Sequence, residues 1–187
     1  MAKPLADAIV NVLQQSFPNT EEERHLAIIT DNNPEVAVVS STLDFQTVVI
    51  GERFRLLYKM YRKIQKKKLR RPLIVESSFD AVPLREGSLD AIILNRNIFS
   101  AQSPIRTLRE MCTLLRADGL MIWPQLSPGK MKRIPRLGAK FGTKSVERAD
   151  LTSMAMEAGF AEIGQIVVSS RLVTWTITTG RNNNRLE

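Results

Sequence analysis

The stretch AVPLREGSLDAIIL at residues 81–94, followed by TLREMCTLLRADG at 107–119 and LMIWP at 120–124, decides the fold. Its apolar run at 89–94 reads as a strand buried on both faces. From 104 to 115, Ile105, Leu108, Met111, Cys112 and Leu115 recur at helical spacing, and Asp118-Gly119 stops the helix. Residues 120–123 form the next apolar run. Strand, helix and strand in close succession make a parallel crossover unit.

Working outward, the same alternation continues. Towards the N-terminus, residues 5–15 place Leu5, Ile9, Val12 and Leu13 on one helical face, and Pro18 and Asn19 end that helix. Strands are expected at 26–30, 47–50 and 73–75, with a turn at 31–34 and a short helix through 43. Residues 53–71 are an amphipathic helix. Phe54, Leu57, Met60, Tyr61 and Ile64 share one arc, and Arg55, Lys59, Arg62, Lys63, Lys66 and Arg70 share the other. Towards the C-terminus come a loop at 124–144, a helix at 145–158 stopped by Gly159, and strands at 163–168 and 172–178. The turn at 169–171 makes those two strands an antiparallel pair. The expected fold is α/β, a doubly wound, mostly parallel sheet with a C-terminal antiparallel hairpin. It forms a single domain over residues 1–180, with residues 1–17 as an N-terminal helix. Residues 181–187 read as a polar, frayed tail, with 186–187 a possible vector remnant.

Composition narrows the function classes. The 187 residues include 43% hydrophobic and 25% charged, enough apolar content for a packed core. No apolar run is long enough to cross a bilayer, and the N-terminus lacks a secretory pattern, so a cytoplasmic protein is expected. One cysteine, Cys112, excludes an internal disulfide and a cysteine-rich zinc cluster, and one histidine, His25, excludes a multi-histidine metal site. His25 has no evident partner nearby in sequence, and Cys112 reads as an inert core thiol.

The net charge of +8 is concentrated. Residues 53–71 hold ten basic residues and no acid, and residues 130–144 hold six basic residues and no acid. The remainder of the chain is net acidic. Lys59, Arg62, Lys63, Lys66 and Arg70, with Lys130, Lys132, Arg133, Arg136 and Lys140, are the expected partner-binding residues. An acidic protein is the expected partner, with nucleic acid or an anionic membrane surface as alternatives. The aromatic residues of the helix (Phe54, Tyr58, Tyr61) are read as largely used in the core, which argues against base stacking.

The central stretch resembles the second half of the class I, S-adenosylmethionine-dependent methyltransferase domain, in particular its type 11 group. That group carries a segment of the form LPFPDGSFD before a buried strand and a helix ending RVLKPGG. The resemblance implies a Rossmann-like sheet with the cofactor at the carboxyl ends of the strands. It implies a glycine-rich loop after the first strand, where this chain has Thr30-Asp31-Asn32-Asn33-Pro34 with no glycine. It implies a ribose-binding acid after the second strand, where Glu52 stands. The adenine-binding acid expected after the third strand falls on Ser78, with Asp80 two residues later. Asn95 and Asn97 follow the fourth strand and read as turn caps or cleft residues. The cofactor-binding candidates are therefore Asp31, Asn32, Glu52 and Asp80.

With the glycines gone, the reading is a methyltransferase-like domain that has lost conventional cofactor binding, carries no cofactor and acts as a non-catalytic interaction module through its basic surfaces. The alternative is a divergent but active methyltransferase that uses S-adenosylmethionine. A nucleic-acid-binding module is the second alternative. No catalytic residue and no metal ligand is assigned.

Overall fold

The computed structural model describes residues 3–18, 22–30, 43–67, 70–79, 81–95, 103–126, 148–169 and 174–183. The expected helix at 34–43 and the basic loop residues Lys130, Lys132, Arg133, Arg136 and Lys140 lie outside the described residues. So do Asp31, Asn32, Asp80 and Asn97.

Helix α1 is Lys3–Ser16, followed by strands β1 (Arg24–Thr30) and β2 (Phe45–Gly51). Helix α2 (Phe54–Lys66) crosses to β3 (Leu73–Glu76), and β4 is Leu89–Asn95. Helix α3 (Pro104–Leu114) runs directly into β5 (Leu115–Leu126). Helix α4 (Arg148–Glu157), β6 (Phe160–Ser169) and β7 (Thr174–Asn182) complete the chain. The sheet order is β3-β2-β1-β4-β5-β7-β6. Pairings along the first five strands are parallel, and β7 runs antiparallel to both β5 and β6. The expected doubly wound, mostly parallel sheet with an antiparallel C-terminal pair is the observed architecture.

The strands are apolar on both sides because helices cover both faces. One core holds Leu5, Ile9 and Leu13 of α1 and Leu57, Met60 and Ile64 of α2 against Ile28, Val49 and Ile93. The opposite core holds Leu108 and Met111 of α3 and Leu151 and Ala155 of α4 against Ile29, Ile92, Leu94 and Trp123. From Ala91 to Leu94 alternate residues of β4 serve the two cores, which explains that apolar run.

Several boundaries differ from the sequence expectation for identifiable reasons. Helix α2 ends at Lys66 rather than 71, so Arg70 and Arg71 lie beyond it. Phe54 is not in the core. It is 60% exposed and stacks on Tyr58, itself 50% exposed, with ring centroids 6.0 Å apart and planes 20° apart. The residues that α2 buries are Leu57, Met60 and Ile64. The sheet offers room for that narrow stripe, and the aromatic pair falls on its flank. Strand β5 begins at Leu115, five residues early. Its register against β4 jumps from Leu89↔Leu115 to Ala91↔Leu120, and Asp118 takes a left-handed φ of 61° in the extra turn.

The expected tail is also shorter. Arg181 and Asn182 belong to β7. Asn182 is buried, its Nδ2 donates to the Leu115 carbonyl at 2.7 Å, and its Oδ1 accepts from Cys112 Sγ at 3.3 Å. Arg181 Nη1 donates to the Asp118 carbonyl at 2.7 Å. These bonds satisfy carbonyls that the abrupt α3–β5 junction leaves open, a need invisible in the polar sequence.

Candidate active site

Ligands of open α/β sheets bind at the carboxyl ends of the parallel strands, because the crossover loops and helix N-termini gather there. In this chain that edge is formed by Thr30, Gly51-Glu52, Glu76 and Asn95, the last residues of β1, β2, β3 and β4 or their immediate successors.

Gly51 sets the spacing between β2 and β1 at this edge. A Cβ there would lie 2.7 Å from the Thr30 carbonyl oxygen and 3.1 Å from Leu57 Cδ2. Only a residue without a side chain lets the strand end sit this close to its neighbour while α2 packs over it. Glu52 follows, exposed, on the turn into α2. It therefore projects from the carboxyl end of β2, the position at which the resemblance places the ribose-binding acid.

Glu76 holds the next strand end. Its Oε1 accepts the Phe54 backbone N–H at 3.0 Å, at the start of α2. Arg53 occupies the cap position and supplies no side-chain hydrogen bond. The carboxylate of β3 thus takes the role of the missing cap and meets the positive end of the helix dipole. Sequence reasoning passed over Glu76 because a cap delivered from another strand leaves no local signature.

Asn95 is half-buried, and its Nδ2 donates to the buried Thr30 hydroxyl at 3.4 Å. It ties the ends of β4 and β1 together, where the sequence suggested a turn cap or a cleft residue. The edge is thus closed by polar groups of four strands, with Glu52 as the exposed carboxylate.

The opposite, amino end of the sheet is scaffold. Asp90 is only 2% exposed. Its Oδ2 accepts the His25 backbone N–H at 2.8 Å, and its Oδ1 lies 2.5 Å from Arg116 Nη2. The His25 ring Nδ1 is 3.9 Å from the same carboxylate. So His25 does have a partner, 65 residues away in sequence and remote from the ligand edge. Gly87 and Ser88 donate their backbone N–H groups to the Thr113 and Leu114 carbonyls, closing the C-terminus of α3. The REGSLD segment that carried the resemblance is therefore a structural clamp. Cys112 is buried, and burial pushes its thiol up to about 11. It is a neutral core thiol, as the sequence indicated.

The basic residues Lys59, Arg62, Lys63 and Lys66 are exposed on α2, and Arg70 is exposed beyond it, 3.3 Å from Asp44. Among the described residues there is no cluster of His, Cys, Asp or Glu able to hold a metal ion, and no helix is long and apolar enough to cross a membrane.

Comparison with known proteins shows what the chain is similar to. The family described as Methyltransferase domain matches residues 55–123. A curated relative, the malonyl-[acyl-carrier protein] O-methyltransferase of Laribacter hongkongensis, is 28% identical over 97 residues, 49% of this chain and 33% of that protein. The chain therefore matches about a third of the length of its curated relative. Among solved structures, the CurJ carbon methyltransferase superposes with a TM-score of 0.79 at 13% identity, covering 96% of this chain and 53% of that one. A phosphoethanolamine N-methyltransferase of Haemonchus contortus, in complex with phosphomonomethylethanolamine and S-adenosylhomocysteine, superposes with a TM-score of 0.74 at 9% identity, covering 94% and 52%.

The family match and the methyltransferase relative overturn the expectation of a non-catalytic module that has given up its cofactor. That expectation weighed one strand end, the glycine-free Thr30-Asp31-Asn32-Asn33-Pro34, above the others. The ends of β2, β3 and β4 keep a close-packed, polar edge that a single loop sequence does not represent. In strand order and fold the chain is similar to these methyltransferases, and its residues 55–123 match the family described as Methyltransferase domain.

Proposed function

We propose that this chain is an S-adenosylmethionine-dependent methyltransferase. The observation that carries the proposal is the end of β2. Gly51 brings the strand end against Thr30, and Glu52 extends from it as an exposed carboxylate at the ligand edge. A carboxylate in this place suits a pair of vicinal hydroxyls, since its two oxygens accept from both. The residues present fit the ribose of the cofactor. When bound, the cofactor supplies an electrophilic methyl group on a sulfonium.

The chain's own contribution is positioning. Methyl transfer to a carboxylate, amine or activated carbon needs the acceptor held in line and water kept away more than it needs an acid–base pair. Thr30 and Asn95, joined by their hydrogen bond, form the floor between β1 and β4. Asp80, Asp31 and Asn32 complete the cofactor-binding set in this reading, with Asp80 assigned to the adenine. The reading carries a cytoplasmic setting, in which the lone buried thiol stays reduced.

Calorimetric titration with S-adenosylmethionine and S-adenosylhomocysteine tests it. The expected outcome is binding at micromolar strength for the native chain, weakened at least tenfold by Glu52→Ala while thermal unfolding stays cooperative. No binding at millimolar cofactor by the native chain would refute the proposal.

A further inference from the structure

Helix α2 is unusual in what it leaves outside. Arg55, Lys59, Arg62 and Lys66 follow one another at steps of four, three and four residues, which lines them up on one outward stripe. The helix contains no acidic residue. Along the flank of that stripe lie Phe54 and Tyr58, both at least half exposed and stacked on each other. Resting on the methyltransferase reading above, and naming how its substrate arrives, we infer that this face of α2 docks an acidic carrier protein that presents an acyl substrate to the carboxyl edge of the sheet.

Three observations select this occupant. The first is composition. Aromatic anchors surrounded by arginine and lysine are the pattern of protein–protein hot spots, where rings fill a partner's apolar groove and the rim cations meet its acids. A nucleic acid would use ring faces for its bases, but here the two rings are stacked on one another. A bilayer would take the apolar face of the helix, and Leu57, Met60 and Ile64 are already buried in the core.

The second observation is position. Glu76 pins the first residue of α2 to the end of β3, so the aromatic pair lies beside the ligand edge. The helix then runs about 20 Å away from that edge, from 13 residues at 1.5 Å each. A partner seated along it would have its carried group next to Glu52. The third is the similarity to the malonyl-[acyl-carrier protein] O-methyltransferase of Laribacter hongkongensis, whose malonyl substrate is borne by an acyl-carrier protein. A protein-borne substrate needs a docking surface outside the reaction site, and a cationic one speeds the encounter with an acidic carrier.

The test uses the full chain and a purified acyl-carrier protein loaded with a malonyl thioester. Its binding is measured by fluorescence anisotropy at 50 and 300 mM salt, without cofactor. Native protein is expected to bind, with affinity falling at least tenfold across that salt range. The triple variant Lys59→Glu, Arg62→Glu, Lys66→Glu is expected to lose at least tenfold more at low salt. Tyr58→Ala, which leaves every charge in place, is expected to lose threefold or more. These side chains are exposed, so unchanged melting curves verify the fold.

Absence of binding by native protein at low salt, or binding untouched by charge reversal, would overturn the inference. So would tighter binding of a labelled 20-nucleotide RNA, lost in the same variants. Carrier binding that meets these expectations without any methyl transfer or cofactor binding would uphold the docking surface while the enzymatic reading fails. Methyl transfer to a free malonyl thioester with no carrier binding would do the reverse.

Discussion

Asp90 shows how much one side chain can fix at the amino end of the sheet. It accepts the His25 backbone N–H, which spans β4 to β1, and it pairs with Arg116 of β5. Asp90→Ala leaves that N–H without its acceptor and is expected to destabilise the fold by about 2–4 kcal/mol. Urea denaturation of the two proteins measures it. Cys112 makes a second residue-level statement. Its folded pKa is raised to about 11 from 9.0 by burial, so the folded state keeps the thiol proton after the unfolded state has released it. The thiol contribution is therefore complete below about pH 9 and declines as pH rises towards 11. Two pKa units correspond to roughly 2–3 kcal/mol. Denaturation midpoints from pH 8 to 11 should fall more steeply for the native chain than for Cys112→Ala.

At the scale of elements, α2 depends on groups outside itself. Its N-terminus is capped from β3 by Glu76, so Glu76→Ala is expected to lower stability by about 0.5–2 kcal/mol, seen as a shift of the thermal midpoint. The β2 end depends on Gly51. Adding a methyl group would drive it into the Thr30 carbonyl, which is backbone and yields poorly. Gly51→Ala is therefore expected to destabilise by about 1–3 kcal/mol and to weaken cofactor binding by displacing Glu52, both readable by melting and calorimetry on one sample. The amphipathic pattern of residues 53–71 located α2 and its three buried anchors. It did not separate Phe54 from the core, because periodicity marks an arc and the neighbouring sheet decides how wide a stripe is covered.

At the scale of the molecule, two cores share one sheet, and α1 is part of the fold rather than an appendage. Ile9 is fully buried against β-strand residues that also serve the rest of the domain. Ile9→Ala on one face and Leu108→Ala on the other are each expected to destabilise by about 2–5 kcal/mol. Each should lower a single cooperative transition rather than split it, which differential scanning calorimetry can check.

The alternation of apolar runs with helical stripes determined the α/β class, the parallel sheet and the antiparallel ending, since a strand buried on both faces has to be built from apolar residues whatever its neighbours. The β4–α3–β5 unit was legible for the same reason, whereas the clamp that residues 87 and 88 make on the end of α3 was not. The three-dimensional arrangement decided everything that joins distant positions. It brought Asp90 to His25, Glu76 to Phe54, Asn95 to Thr30 and Asn182 to the α3–β5 junction. Hydrogen bonds of this kind depend on which strands become neighbours. That order, β3-β2-β1-β4-β5-β7-β6, comes from the packing of helices on both faces and leaves no mark at any single position in the chain.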